Sequence, residues 1–274
     1  MTKHNMIHKT AVALFAMASI VAQVATGQTM RGDFTMDGQV NASDAIAMIN
    51  SQLNGRIETM DPAPKDTITV NGVSFVMVRV MGGTYSREMY VCHTVPTFSI
   101  GQTEVTRALW LAVMGGGNPS TDLYANYPIT HKSWQECQEF VATLNSLTGL
   151  SFSLPTEDEW EYAACGGRNT LAYTYSGSNT IGDVAWYYDG SQHGPYGHIV
   201  ATKAPNELGL YDMSGNIAEM CLDYRGVSFG QICAIRGGYY ASTANDCKVT
   251  ARRSQLLDTQ DPFVGLRLVL HSNR

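Results

Sequence analysis

The sequence has 274 residues, 44% of them hydrophobic and 15% charged, which is enough for one large domain or two unequal ones. Its formal net charge of -6, without a basic stripe along the chain, disfavours a nucleic-acid partner. The 26 glycines, 14 tyrosines and 4 tryptophans predict a loop-rich fold packed with aromatic side chains and argue against a helical bundle.

Residues 1–27 have the pattern of a signal peptide. Two lysines charge the first nine residues, an apolar run follows from Ala11 to Ala22, and the small residues Ala25 and Gly27 offer a cleavage point. The run is short for a bilayer span, and no later segment reaches that length. We therefore expect a secreted, periplasmic or cell-surface protein without a membrane span after signal removal. An uncleaved signal anchor is the alternative.

Residues 28–55 have the pattern of a calcium loop followed by a helix. Oxygen-bearing residues occupy positions 1, 3, 5, 7, 9 and 12 of an EF-hand-type loop: Asp33, Thr35, Asp37, Gln39, Asn41 and Asp44. Gly38 stands at position 6, where the backbone turns sharply. Apolar residues then recur at helical spacing as far as Leu53. The pattern predicts a calcium site in which Gln39 binds through its backbone carbonyl; a short loop and helix without an ion is the alternative.

This segment resembles one repeat of a type I dockerin, whose loop ends in Asp where an EF-hand has Glu. Thr35 replaces the usual Asn or Asp of the family, which we expect to weaken the site. A dockerin normally pairs two such repeats, and the sequence contains one. A cohesin-like partner is therefore only a weak expectation.

Residues 56–70 are predicted to be a linker, because they contain Pro62, Pro64 and several charges without periodicity. From residue 71 the pattern changes. A strand is predicted over Val73–Val80, ending at two glycines, and another short strand begins at Phe98.

Three helices are predicted from their N-terminal caps. Thr103 or Thr106 begins the first, which continues through Val113. The other two begin with capping boxes, formed by Ser133 with Glu136 and by Thr156 with Glu159. The acidic side chains at 157–159 are interpreted as capping and helix-dipole residues and not as an acid–base pair.

Six cysteines are present: Cys92, Cys137, Cys165, Cys221, Cys233 and Cys247. In an exported chain they could form disulfides, but their connectivity cannot be deduced from spacing. None belongs to a CxxC pair, which disfavours a structural zinc site. We expect mostly buried thiols, with at most one or two disulfides.

Residues 71–274 resemble the formylglycine-generating enzyme-like (sulfatase-modifying factor) domain. The motifs that carry the resemblance follow the family's order: Gly82-Gly83, Ile100–Thr106, Ser133-Trp134, Leu154–Gly167, Gly209–Glu219, Arg236–Gly238 and Val264–Arg267. The resemblance implies an α+β fold, the family's elaborated relative of the C-type lectin fold, with few helices and much loop.

The resemblance also implies a structural calcium ion at Gly209–Glu219. The family's ligand pattern falls on the side chains of Asp212 and Glu219 and on the backbone carbonyls of Gly215 and Ile217, an all-oxygen set that suits calcium. In the alternative reading, Asp212 caps a turn and Glu219 pairs with an arginine.

Enzymes of this family oxidise a sulfatase cysteine to formylglycine with molecular oxygen, using copper(I) held by two cysteines. Counted forward from Gly237-Gly238, the two ligand positions fall on Ser242 and Cys247; counted back from Arg252, neither position is a cysteine. A hydroxyl is a hard ligand and does not replace a thiolate on copper(I). The sequence therefore argues against a copper cofactor.

We expect a calcium-stabilised, non-catalytic binding or structural module with a protein or glycan ligand that the sequence does not identify. Aromatic residues on its loops could form the binding surface: Trp186, Tyr187, Tyr188, Tyr196, Tyr239 and Tyr240. The alternative is a formylglycine-generating oxidase or a related oxidoreductase that uses Cys247 in an altered way.

Overall fold

The structure, a computed structural model, describes residues 63–88, 91–190, 197–228 and 230–271. The chain divides into two units, Met1–Asp61 and Pro62–Arg274, and every described residue belongs to the second. The predicted signal peptide and calcium-loop repeat, with Asp33, Thr35, Asp37, Gln39, Asn41 and Asp44, lie outside the described residues.

A five-stranded antiparallel sheet has the order β1-β2-β5-β11-β6. Its strands are β1 (Lys65–Val70), β2 (Val73–Val80), β5 (Phe98–Gly101), β6 (Phe152–Ser153) and β11 (Val269–Leu270). The strand predicted over Val73–Val80 is confirmed. The predicted linker is wrong over its last six residues, because Lys65–Val70 pairs along its whole length with β2 and so belongs to the sheet.

A second sheet has the order β10-β7-β8-β9. It comprises β7 (Ala218–Val227), β8 (Gly230–Arg236), β9 (Arg252–Leu256) and β10 (Val264–Leu266). Strands β10 and β7 are parallel, with Gly265 opposite Glu219, whereas the other pairings are antiparallel. A separate hairpin joins β3 (Gly83–Glu88) to β4 (Val91–Val95).

The described residues contain four α-helices: α1 (Arg107–Met114), α2 (Trp134–Thr148), α3 (Glu157–Ala164) and α4 (Ile181–Val184). Of the two threonines predicted to begin α1, Thr106 is the cap, and its side chain accepts a hydrogen bond from the Leu109 amide. Both predicted capping boxes are present at α2 and α3. Local sequence chemistry therefore determined where these three helices begin.

The acidic first turn of α3 does more than cap the helix. Glu159 forms the capping box, Glu157 lies 2.7 Å from Nε of Arg252, and Asp158 lies 2.9 Å from Nδ1 of His93. Glu157 and Asp158 therefore also tie α3 to β9 and to the β3–β4 hairpin.

Two large apolar clusters and a smaller one around Cys247 form the core of the described residues. One of the large clusters packs α1 and α2 against the sheets, where the Trp110 and Phe140 rings stack with centroids 4.9 Å apart. The other surrounds Trp160 on α3 and includes Phe98 and Ile100 from β5. Two sheets, few helices and long loops give the α+β class that the sequence predicted.

Five of the six cysteines, Cys137, Cys165, Cys221, Cys233 and Cys247, are free thiols, and all but Cys165 are buried. Burial raises the pKa of each of these thiols. In the described part of the chain, no helix has both the length and the apolar character needed to cross a membrane.

Candidate functional site

The loop Gly209–Glu219 enters the protein interior just before β7. Asp212 and Asn216 adopt the left-handed backbone region, with φ of 57° each, and Gly215 has φ of 78°. A side chain at Gly215 would collide with the Trp186 carbonyl, so only glycine fits there. The Gly215 amide donates to the Gly237 carbonyl at 2.8 Å. These constraints direct the loop's polar side chains inward.

Glu219 forms a buried ion pair with Arg267. The guanidinium Nη2 lies 2.6 Å from Oε1, and Nε lies 2.9 Å from Oε1 and 3.0 Å from Oε2. The indole of Trp160 donates to Oε2 at 2.6 Å. Both carboxylate oxygens of Glu219 are therefore already engaged by protein donors.

Arg267 connects three distant segments of the chain. Besides Glu219, it donates to the carbonyls of Gly101 at 2.9 Å and Tyr211 at 2.8 Å. Its side chain is fully buried, as is that of Glu219. The pairing of Glu219 with an arginine, which the sequence left as an alternative, is thus present.

Asp212 is also buried, but its carboxylate is only half engaged. Its Oδ2 accepts a hydrogen bond from the Ala201 amide at 2.7 Å. Within the described residues, Oδ1 is buried without a hydrogen-bond partner. Burial raises the pKa of Asp212 to about 6, although the Ala201 hydrogen bond opposes that shift. An unpartnered acidic oxygen of this kind fits a cation ligand.

Glu104 completes the buried acidic group, and sequence reasoning assigned it no role. Its Oε1 accepts hydrogen bonds from Nδ2 of Asn216 at 3.0 Å and from the Ile217 amide at 3.4 Å. Its Oε2 is buried without a partner among the described residues. Burial raises the pKa of Glu104 well above its usual value, and the charge of Asp212 adds to the effect. The sequence feature that sets Glu104 apart is that it is the single acidic residue between Glu88 and Asp122.

Of the predicted calcium ligands, Asp212 has an unpartnered oxygen among the described residues, whereas both oxygens of Glu219 accept hydrogen bonds; calcium binding at this loop stays a prediction. Gly215 and Ile217 lie on the same loop, and Glu104 reaches the Ile217 amide. Throughout the described residues, no group of three or more His, Cys, Asp or Glu side chains is arranged to hold a metal ion. A cation here would need backbone oxygens in addition to carboxylates, as calcium sites commonly have.

Cys247, one of the two copper-ligand positions, ends the 3₁₀ turn Ala244–Cys247 and is fully buried. It packs in an apolar cluster with Tyr175, Val184 and Ala185. Burial, with a smaller contribution from Asp246, raises the pKa of its thiol to about 12. Burial thus makes this thiol harder to ionise than an exposed one, whereas a copper(I) ligand must be a thiolate.

Ser242, the other position, has a structural role. Its Oγ accepts a hydrogen bond from the Tyr239 amide at 3.0 Å, and its own amide donates to the Tyr239 carbonyl at 2.8 Å. The Ser242 carbonyl accepts from the Tyr188 amide at 2.9 Å. The residues at the two positions do not fit copper(I).

The predicted aromatic surface divides into buried and accessible parts. Tyr188 is exposed, whereas Tyr240 is buried and Tyr239 stacks on Phe263 with centroids 4.6 Å apart. The Trp186 ring stacks on His198 with centroids 3.8 Å apart. Tyr187 is half-buried, and Tyr196 lies outside the described residues.

The mixed sheets, sparse helices and inward-folded acidic loop define an elaborated C-type-lectin-like fold of the formylglycine-generating type. Treponema denticola variable protein 1 has a similar structure, with a TM-score of 0.64 and 29% identity over 76% of this chain and 99% of that one. Residues 32–272 match the sulfatase-modifying factor enzyme 1-like domain, and the chain belongs to that family. The match includes most of the segment predicted to be a separate calcium-loop repeat.

Curated relatives carry different names. The chain is 28% identical to chaperone protein LppX of Paenibacillus barcinonensis, over 72% of this chain and 90% of the relative. It is 28% identical to the formylglycine-generating enzyme of Thermomonospora curvata, over 60% and 61% of the two chains. It is 26% identical to inactive C-alpha-formylglycine-generating enzyme 2 of Bos taurus, over 62% and 58%. The chain thus spans about three fifths of the length of the last two relatives.

Proposed function

We propose that this protein is an exported, non-catalytic member of the sulfatase-modifying factor family that serves as a calcium-stabilised binding or structural module. The chemistry at positions 242 and 247 carries the proposal. Ser242 offers a hydroxyl that is already used to hold its own turn, and Cys247 offers a buried thiol with a raised pKa. Neither presents the soft thiolate that copper(I) chemistry requires.

The relatives support a family in which the fold persists without the oxidase reaction. One bears the name of a chaperone and another is named as inactive. Export rests on the signal-peptide pattern of residues 1–27. The ligand class, a protein or a glycan, rests on the exposed ring of Tyr188, since aromatic rings on loops commonly contribute to recognition.

The second candidate is the formylglycine-generating oxidase, favoured by the resemblance to the Thermomonospora curvata enzyme. The two candidates differ in one measurement. The reduced protein is titrated with copper(I) against a coloured competing chelator, and turnover of a CxPxR-type peptide is followed in the presence of oxygen. We expect neither stoichiometric copper binding nor product. One tightly bound copper(I) per chain together with formylglycine formation would overturn the proposal.

Two matched variants locate the cause of inactivity. Ser242→Cys restores a second thiol, and Cys247→Ser removes the first. If Ser242→Cys binds copper(I), the missing second thiol was the obstacle; if it does not, the burial of Cys247 is sufficient. We expect the Cys247→Ser variant, like the wild type, not to bind copper(I) stoichiometrically. If the wild type binds copper(I) and this variant does not, Cys247 is a ligand.

A further inference from the structure

Two unpartnered carboxylate oxygens lie in the same buried region. They are Oε2 of Glu104 and Oδ1 of Asp212, and each residue is only 2% exposed. A buried acidic oxygen without a donor is unfavourable and calls for a compensating group, such as a proton, a water molecule or a cation. The hydrogen bonds from Asn216 and Ile217 attach Glu104 to the loop that also carries Asp212.

The local charges do not balance. The charges of Asp212 and Glu219 act on Glu104, the charge of Glu219 acts on Asp212, and Arg267 is the cation that acts on both Glu104 and Asp212. Arg267 is bound in a fork to Glu219, so its charge is largely committed to that carboxylate. Two acidic groups therefore remain for a single divalent cation to neutralise.

The position of Arg267 also decides which carboxylates are available. Glu219 accepts two hydrogen bonds at each of its oxygens, from Arg267 and Trp160. Glu104, in contrast, has one oxygen engaged by the loop at Asn216 and Ile217 and the other oxygen unpartnered. It is thus attached to the loop that contains Asp212, Gly215 and Ile217.

We propose that calcium binds to the unpartnered oxygens of Glu104 and Asp212, and that Glu104 takes the ligand place that the family pattern gives to Glu219. In this chain Glu219 forms an ion pair with Arg267 instead. This proposal rests on the calcium binding in the proposed function and changes which residues are the ligands. Calcium suits the site because it accepts carboxylate and carbonyl oxygens in irregular geometry.

The test uses the full chain, stripped with EGTA, in a background that removes the other predicted calcium site by Asp33→Asn and Asp37→Asn. Calcium affinity is measured by titration calorimetry, and the thermal midpoint is measured with and without calcium. Glu104→Gln is expected to weaken calcium affinity by roughly tenfold or more, because the number of charged ligands sets affinity. It should not lower the calcium-free midpoint, because it removes a buried charge and retains the size of the side chain.

Glu207→Gln is the matched control. Glu207 also has a carboxylate oxygen without a partner among the described residues, and burial also raises its pKa, but its other oxygen accepts from the Leu171 amide. This variant should leave calcium affinity unchanged. If Glu104→Gln leaves calcium affinity unchanged, Glu104 is not a ligand, although the proposal that the protein binds calcium is unaffected. The absence of any calcium binding in the background protein would overturn both, without touching the conclusion about copper.

Discussion

The buried ion pair between Arg267 and Glu219 makes a quantitative prediction about stability. Arg267→Met retains much of the side-chain volume but leaves the Glu219 carboxylate buried beside Trp160 without its cation. Breaking a buried pair from one side costs about 3–5 kcal/mol. The carbonyls of Gly101 and Tyr211 also lose a donor each, which adds about 1 kcal/mol apiece. We therefore expect a loss of about 5–7 kcal/mol in the free energy of unfolding.

The measurement is urea unfolding at 25 °C in EGTA, so that calcium cannot bind the released carboxylate. Arg107→Met is the control, because Arg107 pairs with Asp122 at 3.0 Å with its side chain 42% exposed. Surface pairs contribute about 0–1 kcal/mol, so the control should lose no more than that. Equal losses for the two variants would refute the assignment of a buried pair. The double variant Glu219→Gln with Arg267→Met should recover part of the loss, since no charge is left uncompensated.

Three further predictions concern packing, capping and pH. Gly238→Ala should lower the thermal midpoint far more than Gly115→Ala. A Cβ at Gly238 would lie 2.8 Å from Sγ of Cys247, whereas a Cβ at Gly115 would have no neighbour within 4 Å. Similar midpoints for the two variants would contradict this packing. Ser133→Ala should cost about 1 kcal/mol of unfolding free energy through loss of its cap, as urea unfolding would show. The buried thiols should make the fold sensitive to alkali. Unfolded thiols ionise near their ordinary pKa of 9.0, whereas burial raises the pKa of the Cys247 thiol to about 12. Between these two pH values the unfolded state therefore binds fewer protons than the folded state. Stability should therefore fall from pH 9 towards 12, by about 1.4 kcal/mol per pH unit and thiol, and a flat profile over that range would contradict the burial.

The features predicted correctly from the sequence depend on local chemistry. The caps at Ser133 and Thr156 are encoded within four residues, and the strand over Val73–Val80 by its own pattern. Short segments such as these determine their own conformation. The calcium ion predicted at the Gly209–Glu219 loop stays a prediction.

The partners of the acidic residues depend on long-range topology and could not be read from the sequence. Arg267 reaches Glu219 because β10 lies parallel to β7, with Gly265 opposite Glu219. Glu104 reaches Asn216 across 112 residues of chain. A single sequence shows that such residues exist but not which pairs the sheets will bring together. The sequence therefore left open that Glu219 pairs with an arginine, but it could not identify Arg267 as that arginine.

The place of β11 in the first sheet has a consequence for how the protein is made. Val269 and Leu270, close to the C-terminus, form the strand that joins β5 to β6. The sheet therefore cannot close until the chain has been made as far as β11, and the many non-local pairings predict slow folding. A nascent chain that lacks β11 would expose the edges of β5 and β6. Until β11 has been made, those edges stay open to pairing with strands of other chains.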